Sequence, residues 1–282
     1  MNTYFSFVKK YEKLLDEGKQ LPLGGFKKLD LPALPENPKT VLLFSPHPDD
    51  ECVIGALPLR FRRELLMNVK NVAVTLGCKK ERQYGRLEEL KNACKFLGFE
   101  LVQTKENGLE NINLETREND KRQWTKNVDC IQQILSIEKP EIIFIPHKKD
   151  ANSTHIGVNY LVLDALDKMP SDFSCHVIET EFWSPLDSPN LMIESSIDDV
   201  AALVAATSFH VEEVKRNPYH LLLPAWMMDN VRRGAELVGK QGGNAPDFTF
   251  TTLYRITNYT DDKFNNGKIF SKNDNLKEFF ER

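Results

Sequence analysis

The segment "SPHPDDECVIG", Ser45 to Gly55, crowds a histidine, two aspartates and a glutamate together directly after the apolar run "TVLLF". His47 and Asp50 stand three residues apart, close enough for a strand-to-helix turn to aim both at one point. An imidazole with a carboxylate is a ligand pair for zinc, and also for iron or other divalent metals. A hydrolytic zinc site takes three protein ligands and keeps one position open for water. Asp49, between the two, can remain unligated as a general base, because the metal lowers the pKa of bound water from about 15.7 to about 7. Pro48 fixes its own φ and restrains His47, which stiffens the turn. The competing reading is that Asp49, Asp50 and Glu51 simply favour the N-terminus of the following helix. A third ligand from elsewhere in the chain decides between them.

These groups need elements to carry them, and from Thr40 the pattern alternates. "TVLLFS" has strand length, "VIGALPLRFRRELLM" is mostly helical, and "VKNVAVTLG" is a second strand. "ERQYGRLEELKNACKFLG" is a helix with Leu87, Leu90, Ala93, Cys94 and Leu97 on its apolar face and Gly98 to end it. "FELVQ", "PEIIFIP" and "SCHVIETEFW" read as further strands, separated by the helices "RQWTKNVDCIQQILSIEK" and "HIGVNYLVLDALDKM". This alternation predicts an α/β layer structure with a mainly parallel sheet and helices on both faces. The crevice of such a sheet lies beyond the carboxyl ends of the strands, where "HPDDE" falls. No GxGxxG loop follows the first strand, which argues against a dinucleotide cofactor.

"EIIFIPHKKDANSTHIGVNYLV" repeats the layout of apolar strand, polar loop and helix. If this strand neighbours the first, both loops open on the same crevice. His155, at the helix start, is the better third ligand, and His147 at the strand end is its competitor.

"PHPDDE" after an apolar strand resembles the signature of the PIG-L/LmbE-like deacetylases, which in other members reads A-H-P-D-D-E. "VAVTLG" is similar to the family's second strand, "RLEELKNACKFLGF" to its R-x-x-E, alanine, Leu-Gly helix, and "THIGV" to its distal histidine motif. The resemblance covers about Thr40 to Leu166 and implies a Rossmann-like fold with a divalent metal, usually zinc. It implies His47, Asp50 and His155 as ligands and Asp49 as general base. Arg86 matches the family's substrate-contacting arginine, although it could equally pair with Glu89 on the same helix. The implied reaction removes an acetyl group from an N-acetylglucosamine unit on a glycolipid or small glycoconjugate. Departures from the pattern leave the triad intact and bear on the substrate. Asn152 stands where many members have a histidine for the developing oxyanion, so Asn152 or His147 becomes the candidate donor. Asparagine donates a neutral hydrogen bond and carries no charge. Thr154 replaces the aspartate before the distal histidine, and "GALPLR" replaces a Gly-Gly pair.

The last third is less regular. "SIDDVAALVAATSFHVEEVKRN" reads as one helix with Ser196 as N-cap, "LPAWMMDNVRRGAELVG" as another, and "FTFTTLYRI" as a late strand. "RNPYH" and "WMMDNVRRG" gather Arg216, Asn217, Tyr219, His220, Trp226 and Arg233, with a glycine pair following in "KQGGNAPDF". Aromatic faces and planar hydrogen bonders suit a sugar, and the arginines suit a phosphate or carboxylate; Arg216 and His220 are the candidate substrate contacts. A solvated helix face is the alternative. His210 and His176 read as structural.

The totals are consistent with this. The 282 residues carry 37 Lys+Arg against 41 Asp+Glu, a net charge of -4, which offers no reason to expect nucleic acid as a partner. No apolar run approaches the roughly 20 residues that span a bilayer. The five cysteines are widely spaced without a CxxC pair, as in a cytoplasmic protein with reduced thiols. Residues 1–38 read as a helical/loop lead-in, with Phe7, Tyr11, Leu14 and Leu15 on one stripe, and residues 39–282 as a single domain with an irregular C-terminal part. The lead-in could be a lid, a tether or a contact in a homo-oligomer. The expected partner is a small amino-sugar conjugate. Other readings are hydrolysis of a different amide or acyl group, or a non-catalytic metal-containing sugar-binding module.

Overall fold

The computed structural model describes residues 2–240, 245–258 and 267–280. The glycine pair of "KQGGNAPDF" lies outside them. The chain runs α1 (Phe5–Gly18), β1 (Thr40–Ser45), α2 (Asp50–Val53), α3 (Leu57–Glu64), β2 (Asn68–Ala73), α4 (Lys80–Leu97), β3 (Glu100–Gln103), α5 (Leu114–Asn119) and α6 (Lys121–Glu138). It continues with β4 (Ile142–Pro146), α7 (Ser153–Leu166), β5 (His176–Thr180), β6 (Leu191–Glu194), α8 (Ile197–Thr207) and α9 (Val211–Arg216). A 3₁₀ turn (Tyr219–Leu222), α10 (Leu223–Leu237), β7 (Thr251–Asn258), β8 (Lys268–Phe270) and α11 (Lys277–Phe280) complete it.

Among the described residues the strands form one eight-stranded sheet, ordered β3-β2-β1-β4-β5-β7-β6-β8. The first five are mutually parallel, as right-handed helical crossovers require. β7 runs antiparallel to both β5 and β6, while β6 and β8 are parallel. The chain reverses direction across the sheet between β1 and β4, where Val41 pairs with Ile142. That is the switch point at which α/β sheets open a crevice.

Side-chain alternation along β1 explains why both faces are covered. Val41 and Leu43 join a core with α3, α4 and α8, whereas Leu42 and Phe44 join a second core with α6 and α7. The predicted apolar face of α4 is buried, and Gly98 ends that helix in the left-handed region at φ 70°. Ser196 caps α8 by accepting from the Asp199 backbone N–H, forming a capping box.

Two expectations are corrected. The segment read as one helix from Ser196 to Asn217 is two, α8 and α9, separated at Ser208–His210. The C-terminal part adds β6 and β8 to the sheet beside β7, the late strand the sequence predicts, and is thus more regular than the sequence suggests. In the lead-in, no residue of α1 is buried, so Phe7, Tyr11 and Leu14 face outward. The following strap is anchored by Gly24 N–H donating to Ser208 Oγ and by Phe26 packing on Phe96 and Phe209. No described helix is long and apolar enough to cross a membrane.

Candidate metal centre and active site

The turn after β1 brings His47 and Asp50 together, and the start of α7 brings His155 to them. His47 Nδ1 lies 3.5 Å from Asp50 Oδ2, His155 Nε2 lies 3.3 Å from the same oxygen, and the two imidazole nitrogens are 3.2 Å apart. A tetrahedral ion bound at about 2.0–2.1 Å holds its ligands about 3.3–3.4 Å apart. The three donor atoms therefore fit zinc or a similar divalent ion in both type and spacing. The two imidazoles outweigh the effect of burial on Asp50 and hold its carboxyl well below the ordinary carboxylate range. Burial disfavours charge on His155, but Asp50 and then Asp150 outweigh it and raise its pKa.

Asp150 stands behind His155, its Oδ1 being 3.7 Å from Nδ1. Its two oxygens accept the backbone N–H groups of Asn152 and Trp183, which fixes the carboxylate in place. A carboxylate facing the far nitrogen of a ligand histidine sets the ring's orientation and basicity. Position 150 thus supplies what Thr154 cannot.

Asp49 is held apart from the triad by an unusual backbone, with φ at 122°. Its N–H donates to Glu51 Oε2 at 2.9 Å, and its Oδ2 accepts from Tyr219 Oη at 2.6 Å. Burial, with Asp50 adding to it, raises its pKa to about 6, against the opposing pull of His210, Arg86 and Tyr219. Glu51 is buried in turn, and its Oε1 meets His210 Nε2 at 2.7 Å. His210, read from the sequence as structural, therefore stands one residue removed from the candidate base. Glu51, Cys52 and His210 are also close enough to hold an ion. That group is already satisfied internally, Glu51 Oε1 meeting His210 Nε2 at 2.7 Å and accepting from the Cys52 thiol at 3.0 Å.

Arg86, on α4, donates to the Pro48 carbonyl at 2.9 Å and lies 4.0 Å from Asp49 and 3.9 Å from Glu213, rather than on Glu89. Gly77 makes room for it: at φ 83° a Cβ would collide with Arg86 Nη1. Asn152 caps α7, its Oδ1 accepting from the Thr154 and His155 backbone. That bond turns the amide's donor end away from the helix, and Asn152 lines the cavity beside His47 and Asp49.

The cavity over these groups measures about 280 Å³ and is walled further by Lys79, Arg82, Arg86, Trp183 and Glu213. Arg216 sits on its rim, mostly exposed and paired with Glu213. Three predicted residues are not among the cavity walls, the ligand candidate His155 being fully buried. His147 is buried with Nε2 against the Ser184 carbonyl at 2.9 Å. His220 is buried in the 3₁₀ turn. Tyr219, Glu51 and Trp183 were not singled out as site residues by the sequence. The first lay in the aromatic and basic cluster already noted, and the second in the opening motif itself.

The fold and this cluster define a Rossmann-like α/β protein with a candidate metal centre at its switch point. Residues 42–166 match the PIG-L family model, described as GlcNAc-PI de-N-acetylase. The chain thus carries the PIG-L/LmbE-like segment that its motifs indicate, with both loops of the site inside it. No curated protein matches the chain. Among solved structures it is similar to the 4-carboxy-2-hydroxymuconate hydratase GalB of Pseudomonas putida KT2440, at 13% identity and TM-score 0.59, covering 77% of this chain and 95% of that one. It is similar to the N,N'-diacetylchitobiose deacetylase of Pyrococcus horikoshii, at 17% identity and TM-score 0.51, covering 91% and 94%. Teicoplanin deacetylase Orf2, in a zinc-inhibited form, aligns at 14% identity and TM-score 0.53 over 78% and 98%. At these identities the likeness is one of fold, and the fold hosts a hydratase as well as deacetylases.

Proposed function

We propose that this protein is a metal-dependent hydrolase that removes the acetyl group from an N-acetylglucosamine-type glycoconjugate. The observation that carries the reading is the convergence of His47 Nδ1, Asp50 Oδ2 and His155 Nε2 at tetrahedral spacing, with a separate, partly buried carboxylate, Asp49, beside them. The PIG-L match and the deacetylases among the fold's relatives support the choice of reaction.

His47, Asp50 and His155 would hold the ion. When bound, zinc supplies an acidified water and polarises the acetamide carbonyl. Asp49 takes a proton from the attacking water and returns it to the departing amine, so acetate and a free amino sugar result. A pKa raised toward neutrality suits a group that must both accept and release a proton. Tyr219 and the Glu51 carboxylate hold Asp49 from two sides, and Arg86 braces the turn through Pro48. The amide donor of Asn152 is the candidate partner for the developing oxyanion. Arg86 and the rim residue Arg216 are candidates to orient the substrate's polar groups.

The test is acetate release from N-acetylglucosamine conjugates by zinc-loaded protein, with and without chelator, alongside Asp49→Asn. Activity should vanish with chelation and return with zinc. Asp49→Asn should lower kcat by about 10²–10⁴-fold while binding as much zinc as the wild type. Full activity in Asp49→Asn would remove the assigned base, and full activity in the metal-free protein would remove the metal reading.

A further inference from the structure

A second depression adjoins the catalytic cavity and has the opposite character. Its volume is about 230 Å³, and Val53, Phe182, Trp183, Tyr219, Leu222 and Trp226 line it together with Leu223. Among the described residues no charged side chain lines it, whereas the catalytic cavity is walled by acidic and basic groups. The two share a wall. Trp183 lines both, and Tyr219 turns its ring to the groove while its hydroxyl donates to Asp49. Phe182 sets its ring edge-on against the His155 imidazole, with centroids 4.9 Å apart. The groove therefore begins within one side chain of the triad.

Trp183 is 52% exposed and Leu222 is 50% exposed, although the interior offers both cores to apolar side chains. Single exposed apolar residues need no explanation, but a concave cluster of them with four aromatic rings beside a polar reaction site does. The backbone holds this cluster deliberately. The loop carrying Phe182 and Trp183 is tied by Trp183 N–H to Asp150 and by Arg233 to the buried Glu181. The opposite wall is the 3₁₀ turn and the start of α10, joined to the site through Tyr219.

We propose that this groove is a binding subsite for an apolar substituent, an aryl ring or a short acyl or alkyl chain, carried by the amino sugar whose acetamide enters the charged cavity. The proposal rests on the deacetylase reading for the sugar and adds the apolar class of its substituent. An amphipathic substrate would lay its polar ring among the basic groups and its apolar group on Trp183, Trp226 and Leu222. Trp183, at the junction, would touch both parts.

Binding is measured on the zinc-loaded full chain with methyl, phenyl and hexyl β-D-glucosaminides, by calorimetry. These are free amines, so their binding does not depend on turnover. Burial of one ring or chain of this size strengthens binding by about 10- to 100-fold, so phenyl or hexyl should exceed methyl by that factor. Phenyl leading identifies an aryl substituent, and hexyl leading an aliphatic one. Trp226→Ala and Leu222→Glu should each bring the ratio toward one. Leu222 is half exposed, so its substitution tests the groove even where loss of Trp226 disturbs packing. Equal binding of all three glycosides, binding of none, or a preference that survives both variants overturns the assignment. Acetate release from the matching N-acetyl glycosides is followed in parallel. A wild type that releases no acetate but still ranks phenyl or hexyl above methyl keeps the groove and loses the deacetylase reading. Equal affinities with normal acetate release do the reverse.

Discussion

Asp49 is costly to hold, and its neighbours show how the cost is met. A non-glycine residue at φ 122° stores about 1–3 kcal/mol of strain and persists only where its surroundings over-determine it. Glu51 supplies one restraint, accepting the Asp49 N–H with one oxygen and facing His210 with the other. A carboxylate buried this fully needs a partner for its charge. Glu51 accordingly raises the pKa of His210 against the effect of burial, so the imidazole is the group that provides the balance. His210→Ala would strand the Glu51 carboxylate in the interior and should cost about 3–5 kcal/mol at neutral pH, read from urea unfolding. A stability loss under 1 kcal/mol would show that the pair does not hold the turn together. The same network explains why this histidine was legible only as structural. Nothing in "TSFHVEEV" links it to Glu51, far away in the sequence, and only the break between α8 and α9 brings it there.

At the scale of elements, the positioning scaffold could be read almost entirely from the chain. β1 and β4 are continuous apolar runs because both faces of a central parallel strand are buried, and each ends where its polar loop begins. The loops meet because β1 and β4, far apart in the chain, pair across the switch point, a neighbour relation that the sequence reading left as a condition. What escaped were elements without such a pattern. β6, "LMIE", is a short run whose strand character depends on pairing with β7, and the 3₁₀ turn carrying Tyr219 has no periodic signature. The helices beneath α7 offer a prediction at this level. Asp164 on α7 accepts from Arg117 of α5 at 2.9 and 2.8 Å and from Trp124 Nε1 of α6 at 2.7 Å, binding three helices behind the His155 end. Burial works to raise its pKa, but the Arg117 and Trp124 donors outweigh it and the net shift is downward. A depressed carboxyl contributes stability that is fully present above its unfolded pKa and lost as pH falls through the folded one. Asp164→Asn should therefore cost about 1–2 kcal/mol at pH 7, the lower part of the charged hydrogen-bond range because the pair is partly exposed. The difference from the wild type should shrink from about pH 4 downward. A gap that stays constant from pH 7 to pH 2.5 would assign the loss to packing.

Across the whole molecule, the candidate metal centre joins two halves of the sheet. His47 and Asp50 follow β1, and His155 follows β4, on the two sides of the switch point. An ion held by all three can bind only when both βα units are formed and adjacent, so its affinity adds to the stability of the native state alone. At a free concentration one hundred times Kd, that linkage is worth about 2.7 kcal/mol. For a domain of this size it should raise Tm by roughly 5–10 °C, less whatever zinc gains from thiols and imidazoles of the unfolded chain. His47 is the ligand to remove, because its side chain is 20% exposed and its loss leaves the buried Asp50–His155 contact in place. His47→Ala should keep an apo Tm close to that of the wild type and lose most of the zinc-dependent rise. A rise of full size in His47→Ala would place the ion elsewhere, with Glu51, Cys52 and His210 the first group to examine. A Cys52→Ser variant then separates the two sites, because Cys52 touches none of the three ligands assigned here.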